Sequence, residues 1–376
     1  MTNYYNVDDV LRIARRHNNT KRSYLLVNPL QGKHLPVSPI AALNMMKALG
    51  NKITEKYSDA KLVIGFAETA TAIGAMVSAS LSEDCIYIHT TREPISPCIE
   101  FLEEHSHAPE QKLYSAKLNE WLANTSTVIF VDDELSTGKT LRNMIRQLKS
   151  QYPALNQKHL VAASIINRLT PENEALFHSE GIDCIYLVKV SDIDFDVSDI
   201  ETTAAQMLSP VEKSTDSVTF NQIKMPKNPR LGVKVAEYIN QLSNISSEIF
   251  DLVNDYDFHS ALVIGTEECM LPAIWIAANL ERQGAKTLTH SSTRSPIAIS
   301  QAPNYPINEG YQLRSFYDTN RITYIYNLNY YDLIIIISDI EQWHPAAVED
   351  LLAALNIHGY GKIIFIGGGS DNVQHI

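Results

Sequence analysis

Short runs almost unbroken in Val, Ile and Leu alternate along this chain with longer segments of helical periodicity. That alternation constrains the fold more than any other feature. A strand covered on both faces reads as a continuous apolar run, and such strands belong to parallel sheets with helices on both sides. In the first half the runs are Tyr24–Val27, Lys61–Ile64, Cys85–Ile88, Thr127–Val131, Leu160–Ile166 and Cys184–Val190. Helical stretches such as Ile40–Lys52, Thr69–Leu81 and Lys139–Ser150 lie between them. In the second half a helical Leu231–Asn254 precedes runs at Ala261–Ile264, Lys286–His290, Ile322–Tyr326, Leu333–Ser338 and Lys362–Ile366. The sequence predicts an α/β fold on parallel sheets.

A chain of 376 residues exceeds one ordinary core. Residues 205–229 are rich in Ser, Thr, Pro and Lys and break the periodicity, so the expected domains are 1–205 and 206–376. A repeat links them. LVIGFAE at Leu62–Glu68 returns as LVIGTEE at Leu262–Glu268, and TREPI at Thr91–Ile95 returns as TRSPI at Thr293–Ile297. The strand ending in Val131-Asp132-Asp133 aligns loosely with the one ending in Ile337-Ser338-Asp339. Three matches in one order predict a duplicated α/β unit. The second copy lacks the paired acids and is read as degenerate.

The net charge of −12 argues against duplex nucleic acid as a partner, because that affinity rests on cationic contacts to phosphate. The closest two cysteines, Cys85 and Cys98, are too far apart for a CxxC motif, and Cys85, Cys184 and Cys269 read as buried thiols. The N-terminal stretch has no unbroken apolar core of a secretory signal. The strongest apolar run, Leu333–Ile337, is far short of the ~20 residues a membrane helix needs. A soluble, cytoplasmic protein without membrane contact is expected.

The segment TVIFVDDELSTGKT, Thr127–Thr140, carries the chemistry. An apolar run delivers two adjacent carboxylates, and a Ser/Thr/Gly loop then opens a helix. Ligands of open α/β sheets bind beyond the carboxyl ends of the strands. The N–H groups at the helix start, with the hydroxyls of Ser136, Thr137 and Thr140, make an anion cradle. Gly138 allows a tight or left-handed backbone close to a phosphate. Asp132 and Asp133 suit hydrogen bonds from sugar hydroxyls, or help hold a hydrated magnesium ion. Phosphate at one end and vicinal hydroxyls at the other fit ribose 5-phosphate. Gly138-Lys139-Thr140 does not complete a Walker A loop, which needs Gly where Asp133 stands.

At these residues the chain resembles the type I phosphoribosyltransferases, whose signature is an apolar strand, two acids and a Thr-Gly-rich loop that binds phosphoribosyl pyrophosphate (PRPP). The resemblance implies that Asp132 and Asp133 hold the ribose hydroxyls and that Glu134, Leu135, Ser136, Thr137, Gly138, Lys139 and Thr140 wrap the 5-phosphate. Lys139 stands where many members have Gly. Four further segments, Arg22–Pro39, Gly65–Gly74, Thr90–Ile95 and Phe101–Ala108, are similar to the phosphoribosyltransferase of tellurium-resistance-associated biosynthetic clusters. In that family a second domain named for a Thr-Arg-Ser-Pro motif follows, and the motif stands here at Thr293-Arg294-Ser295-Pro296. The implied activity is transfer of ribose 5-phosphate from PRPP to an unidentified acceptor with release of pyrophosphate, using Mg2+ held at Asp132 and Asp133. A homodimer or a complex with other enzymes of such a cluster is expected. The alternative readings are a PRPP or nucleotide sensor without catalysis, and a scaffold.

By the same resemblance the corner Gly65, Phe66, Ala67, Glu68 and Thr69 is the pyrophosphate loop, and helix-start N–H groups suit that role. Residues 90–117 are expected to form a long loop closing over the reacting centre. In it Arg92 would neutralise departing pyrophosphate, and Glu104, His105 or His107 would act as general base. Lys33 and His34 are expected in a hood over the acceptor. In the second domain Glu268, Thr293, Arg294 and Ser295 are candidates for an acceptor, a pyrophosphate-like group or a partner protein.

Overall fold

The computed structural model describes residues 4–17, 23–101, 111–190, 195–209 and 217–368. In chain order these form α1 (Val7–Val10), β1 (Arg12–Arg15), β2 (Tyr24–Val27), α2 (Pro39–Tyr57), β3 (Leu62–Gly65), α3 (Thr71–Ser78), β4 (Ile86–His89), β5 (Cys98–Phe101), β6 (Gln111–Tyr114) and α4 (Leu118–Ala123). There follow β7 (Thr127–Leu135), α5 (Lys139–Gln151), β8 (His159–Asn167), α6 (Pro171–Ser179), β9 (Ile182–Lys189), β10 (Gln206–Met207) and β11 (Val218–Gln222). The remainder is β12 (Val233–Lys234), α7 (Val235–Val253), β13 (Ser260–Gly265), α8 (Met270–Arg282), β14 (Lys286–Ser291), β15 (Gly310–Arg314), β16 (Ile322–Tyr326), β17 (Leu333–Ile337), α9 (Pro345–Asn356) and β18 (Lys362–Gly367).

Two compact units result, and no single cut in the sequence separates them. The first takes Met1–Val7, Asn44–Ile193 and Lys227–Asn240; the second takes Asp8–Leu43, Asp194–Pro226 and Gln241–Ile376. A boundary at 205 therefore falls inside the second unit. The reason is physical. Sheet edges and core faces recruit whichever segment covers them, and local composition does not record that partner.

The first unit holds a six-stranded sheet in the order β12-β4-β3-β7-β8-β9, parallel except for β12. One face packs Ile64, Phe130 and Ala162 against Leu141, Ile145 and Leu148 of α5 and Phe177 of α6. The second unit holds a five-stranded, all-parallel sheet in the order β11-β18-β17-β13-β14. Its apolar runs are continuous because successive residues serve opposite cores. Leu262, Ile264, Ile334 and Ile336 face α9, whereas Ala261, Val263, Leu333 and Ile335 face α7 and α8. Each such buried Val, Leu or Ile side chain contributes roughly 1.5–3 kcal/mol.

The order β4-β3-β7-β8 in the first sheet is matched by β14-β13-β17-β18 in the second. The duplication expected from the short repeats is thus present as a duplicated sheet. The outermost strand differs. In the first unit it is β9, from the chain that follows β8; in the second it is β11, from the stretch expected to be a linker. The run at Tyr24–Val27 is likewise no part of the first sheet: it forms an antiparallel hairpin with β1 in the second unit. Residues 90–117 contain the antiparallel hairpin β5–β6, whose four-residue strands are too short to stand out as periodic runs. All four cysteines are free, with Cys85 and Cys269 buried; Cys184 is only partly buried, a correction to the buried reading. Burial pushes both the Cys85 and Cys184 thiols up to about 12. No helix among the described residues is long and apolar enough to cross a membrane.

The segment 227–240 closes one edge of the first sheet. Val233 and Lys234 pair with Tyr87 and Ile86, and Val235 N donates to Cys85 O at 2.9 Å. Gly232 has φ +77°, and a Cβ there would lie 2.1 Å from the Trp121 ring. Gly232→Ala combines a left-handed non-glycine residue with overpacking against an indole. It is expected to lower stability by about 2 kcal/mol or more in urea denaturation. A variant as stable as the wild type would show that this segment does not seat against Trp121.

Candidate active site

The site begins where β7 stops being apolar. Thr127 to Val131 are buried, and Asp132, Asp133 and Glu134 emerge half-buried while still paired with β8 as far as Leu135 opposite Asn167. The strand thus continues four residues beyond the expected Val131, and the loop shrinks to Ser136, Thr137 and Gly138. Gly138 caps α5 with φ +66°, and a Cβ there would meet the Phe177 ring at 2.3 Å. The backbone is left-handed and has no room for a side chain, so only glycine fits. Lys139 N donates to Thr137 Oγ1 at 3.4 Å. The first-turn N–H groups of a helix have no carbonyl partner within it, and here Thr137, Lys139 and Thr140 are exposed beside them.

The two acids differ in environment. Asp133 N donates to Asp132 Oδ1 at 2.9 Å. Burial, with the Asp133 charge beside it, pushes the Asp132 carboxyl well above the usual carboxylate range. Asp133 accepts a hydrogen bond from Thr69 Oγ1 at 2.9 Å. Glu134 Oε1 lies 4.0 Å from the buried Arg168 guanidinium, which places it in a structural ion pair.

Thr69 belongs to the second corner, between β3 and α3. Phe66 N donates to Val131 O at 2.9 Å, and Ala67 N donates to Thr90 Oγ1 at 2.9 Å. Gln111 Nε2 donates to Ala67 O at 2.7 Å, and the Ala67–Glu68 peptide is cis. Gly65 and Phe66 are packing residues: a Cβ on Gly65 would lie 3.1 Å from the Tyr87 hydroxyl, and Phe66 stacks on Phe130. Ala67, Glu68 and Thr69 line the corner. The structure therefore brings together the acid pair, the start of α5 and the Ala67–Thr69 corner, joined by the Thr69–Asp133 hydrogen bond.

Arg92 is exposed and follows Thr91, whose backbone pairs with Lys112 at the root of the β5–β6 hairpin. The buried Arg230 donates from Nε to Thr91 Oγ1 at 3.3 Å. Glu104, His105 and His107 lie outside the described residues. Thr90, Gln111 and Arg230 were not anticipated. Thr90 adjoins the TREPI segment and had a local signal; Arg230 has none, being distant in sequence from Thr91.

The hood expectation for Lys33 and His34 is corrected. Both are buried in the second unit, and Lys33 Nζ donates to Glu267 O at 3.0 Å and Ser292 O at 3.1 Å. A fully buried ammonium held by two carbonyls presents no surface to an acceptor. Glu268, Thr293, Arg294 and Ser295 lie in the same unit. Arg294 Nη2 is 3.4 Å from Glu268 Oε1, Thr293 pairs with Tyr324, and Ser295 N donates to Thr293 Oγ1 at 3.2 Å. The side chain of Ser338 accepts from Thr266, and Asp339 accepts from the Tyr317 hydroxyl. No group of three or more His, Cys, Asp or Glu able to hold a metal occurs among the described residues.

Residues 10–190 match the family model described as phosphoribosyl transferase, and residues 227–355 match the one described as the TRSP domain C terminus to PRTase_2. No curated protein matches the chain. Among solved structures it is similar to adenine phosphoribosyltransferase from Trypanosoma brucei in complex with AMP, pyrophosphate and ribose-5-phosphate. That likeness has 13% identity and a TM-score of 0.34, over 48% of this chain and 76% of that one. It is similar also to orotate phosphoribosyltransferase from Aeropyrum pernix, at 16% identity and a TM-score of 0.33 over 47% and 88% of the two chains. A hypothetical protein from Neisseria gonorrhoeae with bound ppGpp matches at 17% identity and a TM-score of 0.29, over 43% and 85%. With its two domain models in order along one polypeptide, the chain belongs to the family that joins a phosphoribosyl transferase domain to a C-terminal TRSP domain.

Proposed function

We propose that the first unit transfers ribose 5-phosphate from PRPP to an acceptor nucleophile and releases pyrophosphate. The observation that carries this reading is the Thr69–Asp133 hydrogen bond, which holds the acid pair beside the Ala67–Thr69 corner. The 5-phosphate sits at the N-terminal turn of α5 with the hydroxyls of Ser136, Thr137 and Thr140. Asp132 and Asp133 accept hydrogen bonds from the ribose hydroxyls. The leaving diphosphate lies along Ala67–Thr69 with Arg92. The acceptor's lone pair forms the bond to the anomeric carbon as the bond to the diphosphate oxygen breaks, and pyrophosphate departs with that electron pair. The acceptor's proton passes to a base, for which Glu104, His105 and His107 are the candidates. The protein's part is positioning and charge neutralisation.

The acid pair fits magnesium. This ion usually keeps its waters and takes only one or two carboxylates together with substrate phosphates, so Asp132 and Asp133 would suffice. Bound there, it would supply charge neutralisation for the diphosphate.

Asp132→Asn with Asp133→Asn removes both carboxyl groups of the pair. PRPP affinity in calorimetry with magnesium is expected to fall about 100-fold or more, from roughly 1.5–3 kcal/mol for each hydrogen bond to a charged group. Unchanged affinity would remove the ribose assignment. Asp132→Asn alone has a second signature. A carboxyl whose folded pKa is raised favours folding most at low pH, and that contribution is lost as pH rises through the raised value. The thermal stability of Asp132→Asn relative to wild type should therefore improve with increasing pH above the usual carboxylate range. A pH-independent difference would show that Asp132 carries no such shift.

Arg92 follows Thr91 at the root of the β5–β6 hairpin, and we place it against the diphosphate in the ground state. Arg92→Ala should weaken PRPP binding about 10-fold or more, from the loss of a charge-assisted contact of about 1.5 kcal/mol or above. Ribose 5-phosphate, which lacks the diphosphate, should bind the variant as it binds wild type. Equal losses for both ligands would place Arg92 elsewhere.

A further inference from the structure

The two sheets repeat the same backbone hydrogen bonds at this corner, and the repetition identifies equivalent side chains. Phe66 N reaches Val131 O at 2.9 Å, and Thr266 N reaches Ile337 O at 3.2 Å. Thr90 N reaches Gly65 O at 2.9 Å, and Ser292 N reaches Gly265 O at 3.0 Å. Ala67 N donates to Thr90 Oγ1 at 2.9 Å, and Glu267 N donates to Ser292 Oγ at 3.1 Å. Thr91 pairs with Lys112, and Thr293 with Tyr324. Glu267 thus stands where the first unit has Ala67, and Arg294 where it has Arg92.

The Glu267 side chain is fully buried. Its Oε2 accepts from Arg294 Nε at 2.7 Å and lies 3.2 Å from Arg321 Nη1, and its Oε1 accepts from the Ser315 hydroxyl. Two guanidinium groups and a hydroxyl converging on one carboxylate are the donor set of an oxyanion site. Glu267 also has φ +46°, a left-handed backbone that glycine would adopt without strain. The chain keeps a glutamate at a strained position, so its side chain rather than its backbone is what the position requires.

We propose that the Glu267 carboxylate is a resident anion. It fills, from within the chain, the second sheet's counterpart of the Ala67 corner, and its removal opens a site for a small oxyanion of the phosphate class on Arg294, Arg321 and Ser315. The inference stands on the second unit's own contacts and holds whether or not the first unit uses PRPP.

The variant Glu267→Gly deletes the carboxylate and relieves the left-handed strain. In equilibrium dialysis with labelled inorganic phosphate, the full-length variant should bind one more phosphate per chain than wild type. Its melting temperature should rise with phosphate concentration by more than that of wild type. Adding Arg294→Met should abolish the extra site. Glu267→Gln fills the slot with a neutral amide and should gain no phosphate. A variant that folds only when phosphate is present gives the same answer. A folded Glu267→Gly that binds no more phosphate than wild type would overturn the proposal, as would a chain that stays unfolded with phosphate present. An extra phosphate that persists with Arg294→Met would also overturn it.

Discussion

The backbone hydrogen bond from Phe66 N to Val131 O joins the ends of β3 and β7, and the site depends on it. From β3 the chain crosses to β4 on one side of the sheet, and β7 crosses to β8 on the other. Loops leaving adjacent strands in opposite directions cannot cover the gap between them, so a crevice stays open at the strands' carboxyl ends. At the same place side chains take over from the strand ladder: Ala67 N donates to Thr90 Oγ1 and Asp133 N to Asp132 Oδ1. Thr69 and Asp133 then need only to reach across. Gly138, pressed on Phe177, supplies the one tight turn that brings the start of α5 to the same edge.

Much of this is legible in the sequence because it is local. The apolar runs, the acids at a strand end and the glycine at a helix start each announce themselves within a dozen residues. What escapes is the pairing of distant segments. Nothing around Arg230 says that it reaches Thr91, and nothing around Lys33 says that it is buried against Glu267 and Ser292. The length of β7 escapes for another reason. Asp132, Asp133 and Glu134 have poor strand propensity, and the ladder to β8 overrides it. The five matches between LVIGFAE and LVIGTEE reveal the duplication, yet the residue that sets the second corner apart is one of the two mismatches.

One backbone plan therefore supports two different corners. Alanine leaves the first lined by main chain, and glutamate closes the second with an ion pair. The substitution needs no change in strand order or hydrogen bonding, which is why a shared fold carries no guarantee of a shared activity. A buried carboxylate needs matched donors, and Arg294, Arg321 and Ser315 supply them where solvent or ligand otherwise would.

The interleaving of the two units bears on how the chain is made. Ala14 and Val27 belong to the second unit and pack there on Ile297, Ile299, Ile307 and Tyr326, far downstream in the sequence. The first sheet in turn stands with an uncovered edge until Val233 and Lys234 emerge. Neither unit completes on a contiguous stretch of sequence. Such long-range closure is slow and leaves intermediates prone to association. The halves are consequently not interchangeable cassettes. A gene rearrangement that moved either one alone would carry away part of the other's sheet or core.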